Sequence, residues 1–256
     1  MRPENTIPAF DYAIKTGVDC LEMDMAVTRG NVIVISHDPT LRPPVCTGPP
    51  QQSATIRELT LAQVREWECG TVQNPLFQKQ TPVPGTRMPT LDDVFQLASR
   101  GSFDYSIETK IFPDRPALTP PPEEFARMVL DKIRKYKLEK RVILQSFDFR
   151  TLLAMKKLAP EIRLSALTDK DQRDFPIIAH EGQADIISPH YQLVTKEKVA
   201  AAHAAGLQVV AWTANTPADW DRLIGAGVDA IITDDPAQLI AYLKQKGLRW
   251  LVVYNA

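Results

Sequence analysis

From residue 105 onward the sequence repeats one unit: a short apolar run, then a longer segment with an apolar stripe at helical spacing, then the next run. The runs 105–110, 142–147, 163–167, 185–188, 208–213 and 230–233 read as strands, and 122–136, 149–158, 175–180, 196–205, 218–226 and 236–246 as the helices between them. Strands this short and apolar, joined by segments long enough for crossovers, fit a parallel sheet covered on both faces. Residues 21–27 add a seventh strand. Their neighbour, 32–36, returns through the tight turn Thr28-Arg29-Gly30-Asn31, so it is an antiparallel hairpin arm outside the parallel count. Seven is one short of a closed barrel, a fold that typically takes about 250 residues. The chain has 256, which suits one barrel domain over 1–256 better than two small ones. A helix over 5–16, capped by Asn5 or Thr6 and stopped by Gly17, stands where a barrel would place its first strand.

Between residues 39 and 89 the regularity stops. Proline clusters such as Arg42-Pro43-Pro44 and Thr81-Pro82-Val83-Pro84-Gly85 enclose one short helix near 61–68, and Thr90 caps another over 91–99. So long an irregular insertion in a compact domain is expected to be a lid or binding loop. Cys46 and Cys69 both fall in it, and their spacing allows either a disulfide or two free thiols. The net charge of −1 excludes a general nucleic-acid or membrane-surface binder. No apolar run approaches the ~20 residues that span a bilayer, no secretory leader is legible at Met1, and no feature specifies an oligomer.

In parallel α/β barrels, function sits at the carboxyl ends of the strands. Glu22 and Asp24 are two apart on the first predicted strand, so they share one face while Leu21, Met23 and Met25 take the other. Carboxylates that close repel unless a cation or proton intervenes. In Ser106-Ile107-Glu108-Thr109-Lys110 the pattern recurs, with Glu108 and Lys110 on one face. Glu22, Asp24 and Glu108 together make an oxygen-donor set suited to Ca²⁺ or Mg²⁺ rather than zinc. Lys110 would then point at an anion held there. The same spacing also allows an interior salt-bridge cluster that fills the barrel mouth. His37 ends the hairpin arm, and Asp38-Pro39 after it favours a turn that could aim the ring into the site; an imidazole exchanges protons near neutral pH. Trp212 ends another strand, as substrate wall or as core indole. His190 lies at the same rim, His180 and His203 on helices, and Asp234-Asp235-Pro236 is first of all a helix start.

Taken together, RPENTIPAF (2–10), LEMDMAVT (21–28), SHDPTL (36–41), SIETK (106–110), QSFD (145–148), VVAWTAN (209–215) and AIITDDP (230–236) make the chain resemble the glycerophosphodiester phosphodiesterase family. The resemblance implies a (β/α)₈ TIM barrel that hydrolyses small glycerophosphodiesters to glycerol 3-phosphate and an alcohol. It implies a divalent metal on Glu22, Asp24 and Glu108, phosphate contact by Lys110, and His37 as one of two acid/base histidines. The insertion after His37 resembles that of secreted or periplasmic members that often use Ca²⁺. That compartment is expected if a leader has been lost from this chain, and the cytoplasm otherwise.

The family's first strand ends in His-Arg-Gly just before the Arg-Pro-Glu-Asn-Thr motif, and this chain opens at Met1. With His37 as the one retained imidazole, a small residual activity is expected, restored by adding the upstream strand. The alternative is an inactive barrel that still binds metal and phosphodiester. A lipid-cleaving barrel is disfavoured by the lack of an amphipathic or strongly basic stretch. The tail over 249–254 is a good β segment delivered beside the last strand by a right-handed crossover. It is expected either to fill the vacant first-strand slot or to lie outside the barrel.

Overall fold

The computed structural model describes residues 1–50, 53–248 and 251–255. Helix α1 (Ile7–Thr16) leads into β1 (Cys20–Val27) and β2 (Ile33–Ile35), and the insertion carries α2 (Leu61–Val64) and ends in α3 (Leu91–Phe95). Then come β3 (Asp104–Thr109), α4 (Pro122–Tyr136), β4 (Val142–Ser146), α5 (Phe149–Leu158), β5 (Arg163–Thr168) and α6 (Phe175–Glu181). The chain closes with β6 (Ile186–Pro189), α7 (Lys196–Ala204), β7 (Gln208–Ala211), α8 (Pro217–Ala226), β8 (Ala230–Thr233), α9 (Pro236–Gln245) and β9 (Val252–Asn255).

The sheet runs β2-β1-β3-β4-β5-β6-β7-β8-β9, and β9 pairs back onto β1. Among the described residues, eight parallel strands therefore close a TIM barrel, with β2 antiparallel on its rim. The eighth is the tail. β9 pairs in parallel with β8 (Val252 opposite Ala230, Asn255 opposite Thr233) and with β1 (Tyr254 opposite Cys20), so it occupies the slot that the sequence leaves open. Asp19 clamps it, accepting from the Val253 N–H at 2.9 Å and donating its own N–H to the Val253 carbonyl at 3.0 Å. Of the predicted tail, 249–250 lie outside the described residues.

The helices start where the sequence signals them. Thr6, Thr195, Thr216 and Asp235 each accept an otherwise orphaned first-turn N–H. Glycine ends α1 and α8 at φ 89°, a backbone state only it adopts without cost. Two predicted helices are shorter than expected. The one over 61–68 stops at Val64, and the one over 91–99 becomes a 3₁₀ turn from Gln96, where i→i+3 bonds tighten the last turns.

Strand alternation sorts the core into two layers. Leu21, Met23 and Met25 of β1 pack outward against the helices, while Cys20, Ile143, Ile186, Val210, Ile232 and Tyr254 fill the barrel interior below the mouth. The insertion has its own small core around Trp67, Leu41, Ile56 and Val64, and Cys46 and Cys69 form a disulfide within it. Val253 is fully buried, so Val253→Asp places an unpaired charge between β9 and the helix layer. We expect a loss of roughly 3–5 kcal/mol, read as a lowered urea midpoint; an unchanged midpoint would show that the tail does not close the barrel.

Candidate active site

The mouth of the barrel holds a cavity of about 670 Å³. Glu22, Asp24, Glu108, Lys110, His37 and Trp212 all line it, so the structure brings together every site residue that the sequence singled out. β1 and β3 pair with Asp24 opposite Glu108, and this register alone places the two strands' acids side by side. One oxygen from each of Glu22, Asp24 and Glu108 falls within a group whose members lie within 4.8 Å of one another. That is within the span of oxygens sharing one hard cation at 2.3–2.6 Å.

Lys110, just past the end of β3, reaches back over the cluster. Its Nζ lies 3.1 Å from Asp24 Oδ1 and 3.0 Å from Glu108 Oε2. Asn5 grips Asp24 from the other side: its Nδ2 donates to Asp24 Oδ2 at 3.0 Å, and its Oδ1 accepts the Asp24 N–H at 3.2 Å. Asn5 sits at φ 54°, a left-handed state that asparagine tolerates, immediately before the Thr6 cap. Gln145 Nε2 donates to Glu22 Oε1 at 2.7 Å.

Burial pushes Glu108 up to about 8, despite Lys110 beside it. Glu22 is likewise raised well above the carboxylate range, by burial first and then by Asp24 and Glu108. Asp24 goes the other way. Burial opposes its charge, but Lys110, His37 and the Asn5 amide together hold it below the usual range. Asp24 thus keeps its charge at neutral pH, Glu108 favours its proton, and burial weighs against charge on Glu22.

His37 is exposed at the cavity wall. Its Nδ1 lies 3.0 Å from Asp38 Oδ1, and Arg42 donates to Asp38 Oδ2 at 2.9 Å. Burial of Asp38 is outweighed by its bonds to His37 and Arg42, which keep it ionised. An ionised carboxylate only accepts, so Nδ1 carries the ring proton and Nε2 is left to exchange one. Trp212 follows β7 rather than ending it; its Nε1 donates to the Ser188 carbonyl at 2.8 Å, and its ring meets Phe147 edge-on at 5.5 Å. His190 meets Trp212 edge-on outside the cavity lining, and His203 pairs with Asp229 on the helical exterior.

The sequence offers Asn5 or Thr6 as the helix cap and gives Arg42 no role; the structure caps the helix with Thr6 and turns Asn5 to Asp24. Asn5 beside a capping threonine is a weak signal, because either residue can cap. The link from Arg42 to Asp38 at i,i+4 is formed in a turn rather than a helix, so no periodicity announces it.

A closed parallel barrel with an acid cluster and a lysine at the carboxyl ends of its strands belongs to the (β/α)₈ class, whose active sites lie at that end. The chain belongs to the Glycerophosphoryl diester phosphodiesterase family, a family of phosphoric diester hydrolases, whose profile matches residues 1–238. It is 31% identical to a glycerophosphodiester phosphodiesterase from Caldanaerobacter subterraneus subsp. tengcongensis, over 96% of this chain and 94% of that one. A solved structure from Silicibacter pomeroyi DSS-3, assigned to the glycerophosphoryl diester phosphodiesterases, is 28% identical with a TM-score of 0.89, covering 98% of this chain and 91% of that one. The fold is also that of an Oleispira antarctica phosphodiesterase solved with the product sn-glycerol-3-phosphate (TM-score 0.80, 20% identity, covering 95% and 92% of the two chains).

Val45, next to the Cys46–Cys69 disulfide, is part of the cavity wall. Replacing both cysteines by serine should destabilise the insertion by about 2–4 kcal/mol. Amides over 40–88 would then exchange hydrogen faster while β3 to β8 keep their protection. Equal exchange throughout would show that the bridge does not hold the wall.

Proposed function

We propose that this protein hydrolyses glycerophosphodiesters to glycerol 3-phosphate and an alcohol with the help of a divalent cation, Ca²⁺ or Mg²⁺. The observation that carries this reading is the convergence of Glu22, Asp24 and Glu108 under Lys110 at the barrel mouth. The donor set is all oxygen, and once fully ionised the three carboxylates against one ammonium leave two negative charges, the complement of a dication. The fit is therefore good. Once bound there, the cation would polarise a phosphoryl oxygen and offset charge developing on the phosphate.

The chain's own residues do the rest. Lys110 sits where it can bind a phosphate oxygen, and its link to Asp24 and Glu108 keeps it charged, burial notwithstanding. His37, held through Nδ1 by Asp38, takes or gives one proton at Nε2: from the nucleophile, or to the departing alkoxide. Trp212 and Phe147 offer an apolar wall to the carbon skeleton. Family membership supports the substrate class, and the disulfide supports an oxidising compartment, periplasmic or extracellular. A second reading, a barrel that binds metal and phosphodiester without turnover, is favoured by one fact: among the described residues, His37 is the one imidazole lining the cavity.

Turnover of glycerophosphocholine, followed as glycerol 3-phosphate release, separates the two. On the enzymatic reading the protein is active with Ca²⁺ or Mg²⁺ and silent after EDTA, and His37→Ala lowers kcat by about 10²–10⁴-fold. Binding of the diester by calorimetry with no release at any metal concentration would select the second reading.

Cation uptake must also expel the proton that Glu108 favours at neutral pH. Because the folded Glu108 titrates near 8, above its unfolded value, metal-free stability is fullest below the ordinary carboxylate pKa and declines as pH rises through about 8. We expect the metal-free melting temperature to fall from pH 5 to pH 8, and excess Ca²⁺ to remove the decline. Calorimetry at pH 7 in buffers of different ionisation enthalpy should record net proton release. Buffer-independent heats would refute the assignment.

A further inference from the structure

Gln145 stands on β4 directly opposite Glu108 in the parallel ladder and is only 2% exposed. One end of its amide is used and the other is not. Nε2 donates to Glu22 Oε1 at 2.7 Å, whereas Oε1 is buried without any hydrogen-bond partner. An unpaired buried carbonyl oxygen costs about 1–3 kcal/mol. A leucine or methionine of similar size would avoid that cost, and the interior accepts aliphatic side chains readily: Ile143, two residues earlier on the same face of β4, is one of them. What the amide secures must therefore lie at its other end.

Among the described residues, Gln145 is the one hydrogen-bond partner of the Glu22 side chain. Asp24 is held by Asn5 and Lys110, and Glu108 by Lys110. Glu22 is thus the ligand that Lys110 does not hold and whose anchor is an amide alone, and losing that anchor frees its rotamers. The anchor is also neutral. A lysine or arginine in its place could donate equally well, but its charge would cancel half of the two negative charges that attract a dication.

We propose that Gln145 is a positioning residue that aims Glu22 at the divalent cation while leaving the charge of the cluster intact, and so sets cation affinity and coordination. This rests on the reading above, that Glu22, Asp24 and Glu108 share one cation. Gln145 lines the same cavity and acts through the Glu22 carboxylate that its amide holds.

The test compares the wild-type chain with Q145L and Q145K, using Ca²⁺ calorimetry, Tb³⁺ luminescence lifetime and urea unfolding of the metal-free protein. Q145L should weaken Ca²⁺ binding by about 10–100-fold, the usual effect of losing a partner behind a metal ligand. It should shorten the Tb³⁺ lifetime, as a loosened Glu22 admits water to the ion, yet leave the metal-free urea midpoint about unchanged, because the orphan oxygen removed offsets the hydrogen bond that Glu22 loses. Q145K should weaken binding further than Q145L. A merely structural glutamine would instead lower the midpoint and leave the lifetime alone. If Q145L does not fold, Q145M removes the same amide with an unbranched side chain. Wild-type affinity and lifetime in the leucine or methionine variant would overturn the role of Gln145 alone. A wild-type chain that takes up neither ion would overturn the cation reading of the site and this assignment with it.

Discussion

The ammonium of Lys110, shared between Asp24 and Glu108, is the contact on which the mouth of this barrel depends. Three carboxylates in so small a volume would repel one another and resist burial. One cation in reach of two of them lets Asp24 stay charged, while burial and the remaining repulsion push Glu22 and Glu108 toward their neutral forms. Burying that charge still carries a cost, and burial opposes ionisation of all three acids.

The barrel can bear this cost because its two layers separate the tasks. Below the mouth, Cys20, Ile143, Ile186, Val210, Ile232 and Tyr254 form an apolar plug, and outside the strands the helices cover Leu21, Met23 and Ile107. The same strand that buries Leu21 and Met23 outward presents Glu22 and Asp24 inward, since successive side chains alternate. Rigid β1 and β3 then set the spacing of the acids through their ladder, while residues on loops (His37, Asp38, Arg42) line the cavity wall. The insertion, pinned by its disulfide, completes that wall from a core separate from the barrel's.

Much of this was legible in the residues themselves. The alternation of short apolar runs and helix-length segments implied the parallel sheet, and Glu22, Asp24, Glu108 and Lys110 stood out because charge on a core-facing strand position needs a partner. The Thr and Asp caps and the glycine stops marked most helix ends. Other elements were not legible. The helix over 91–99 carries a good cap and an apolar face, yet it tightens to 3₁₀ at Gln96, a change that depends on packing rather than propensity. The Cys46–Cys69 pairing was open from spacing alone, because only the folded insertion brings the two sulfurs together.

The clearest division lies at the two ends of the sheet order. Sequence by itself determined which residues could carry chemistry and that seven parallel strands needed an eighth, because periodicity and charge are local properties. Only the tertiary structure decided that residues 252–255 supply the eighth strand, since their hydrogen bonds go to β1 and β8, more than 200 residues away in one case and about 20 in the other. It alone decided, too, that Asn5 and Gln145 anchor two of the acids. An amide side chain announces no partner in sequence, and the partner is named only when the barrel closes and brings β4 across from β1.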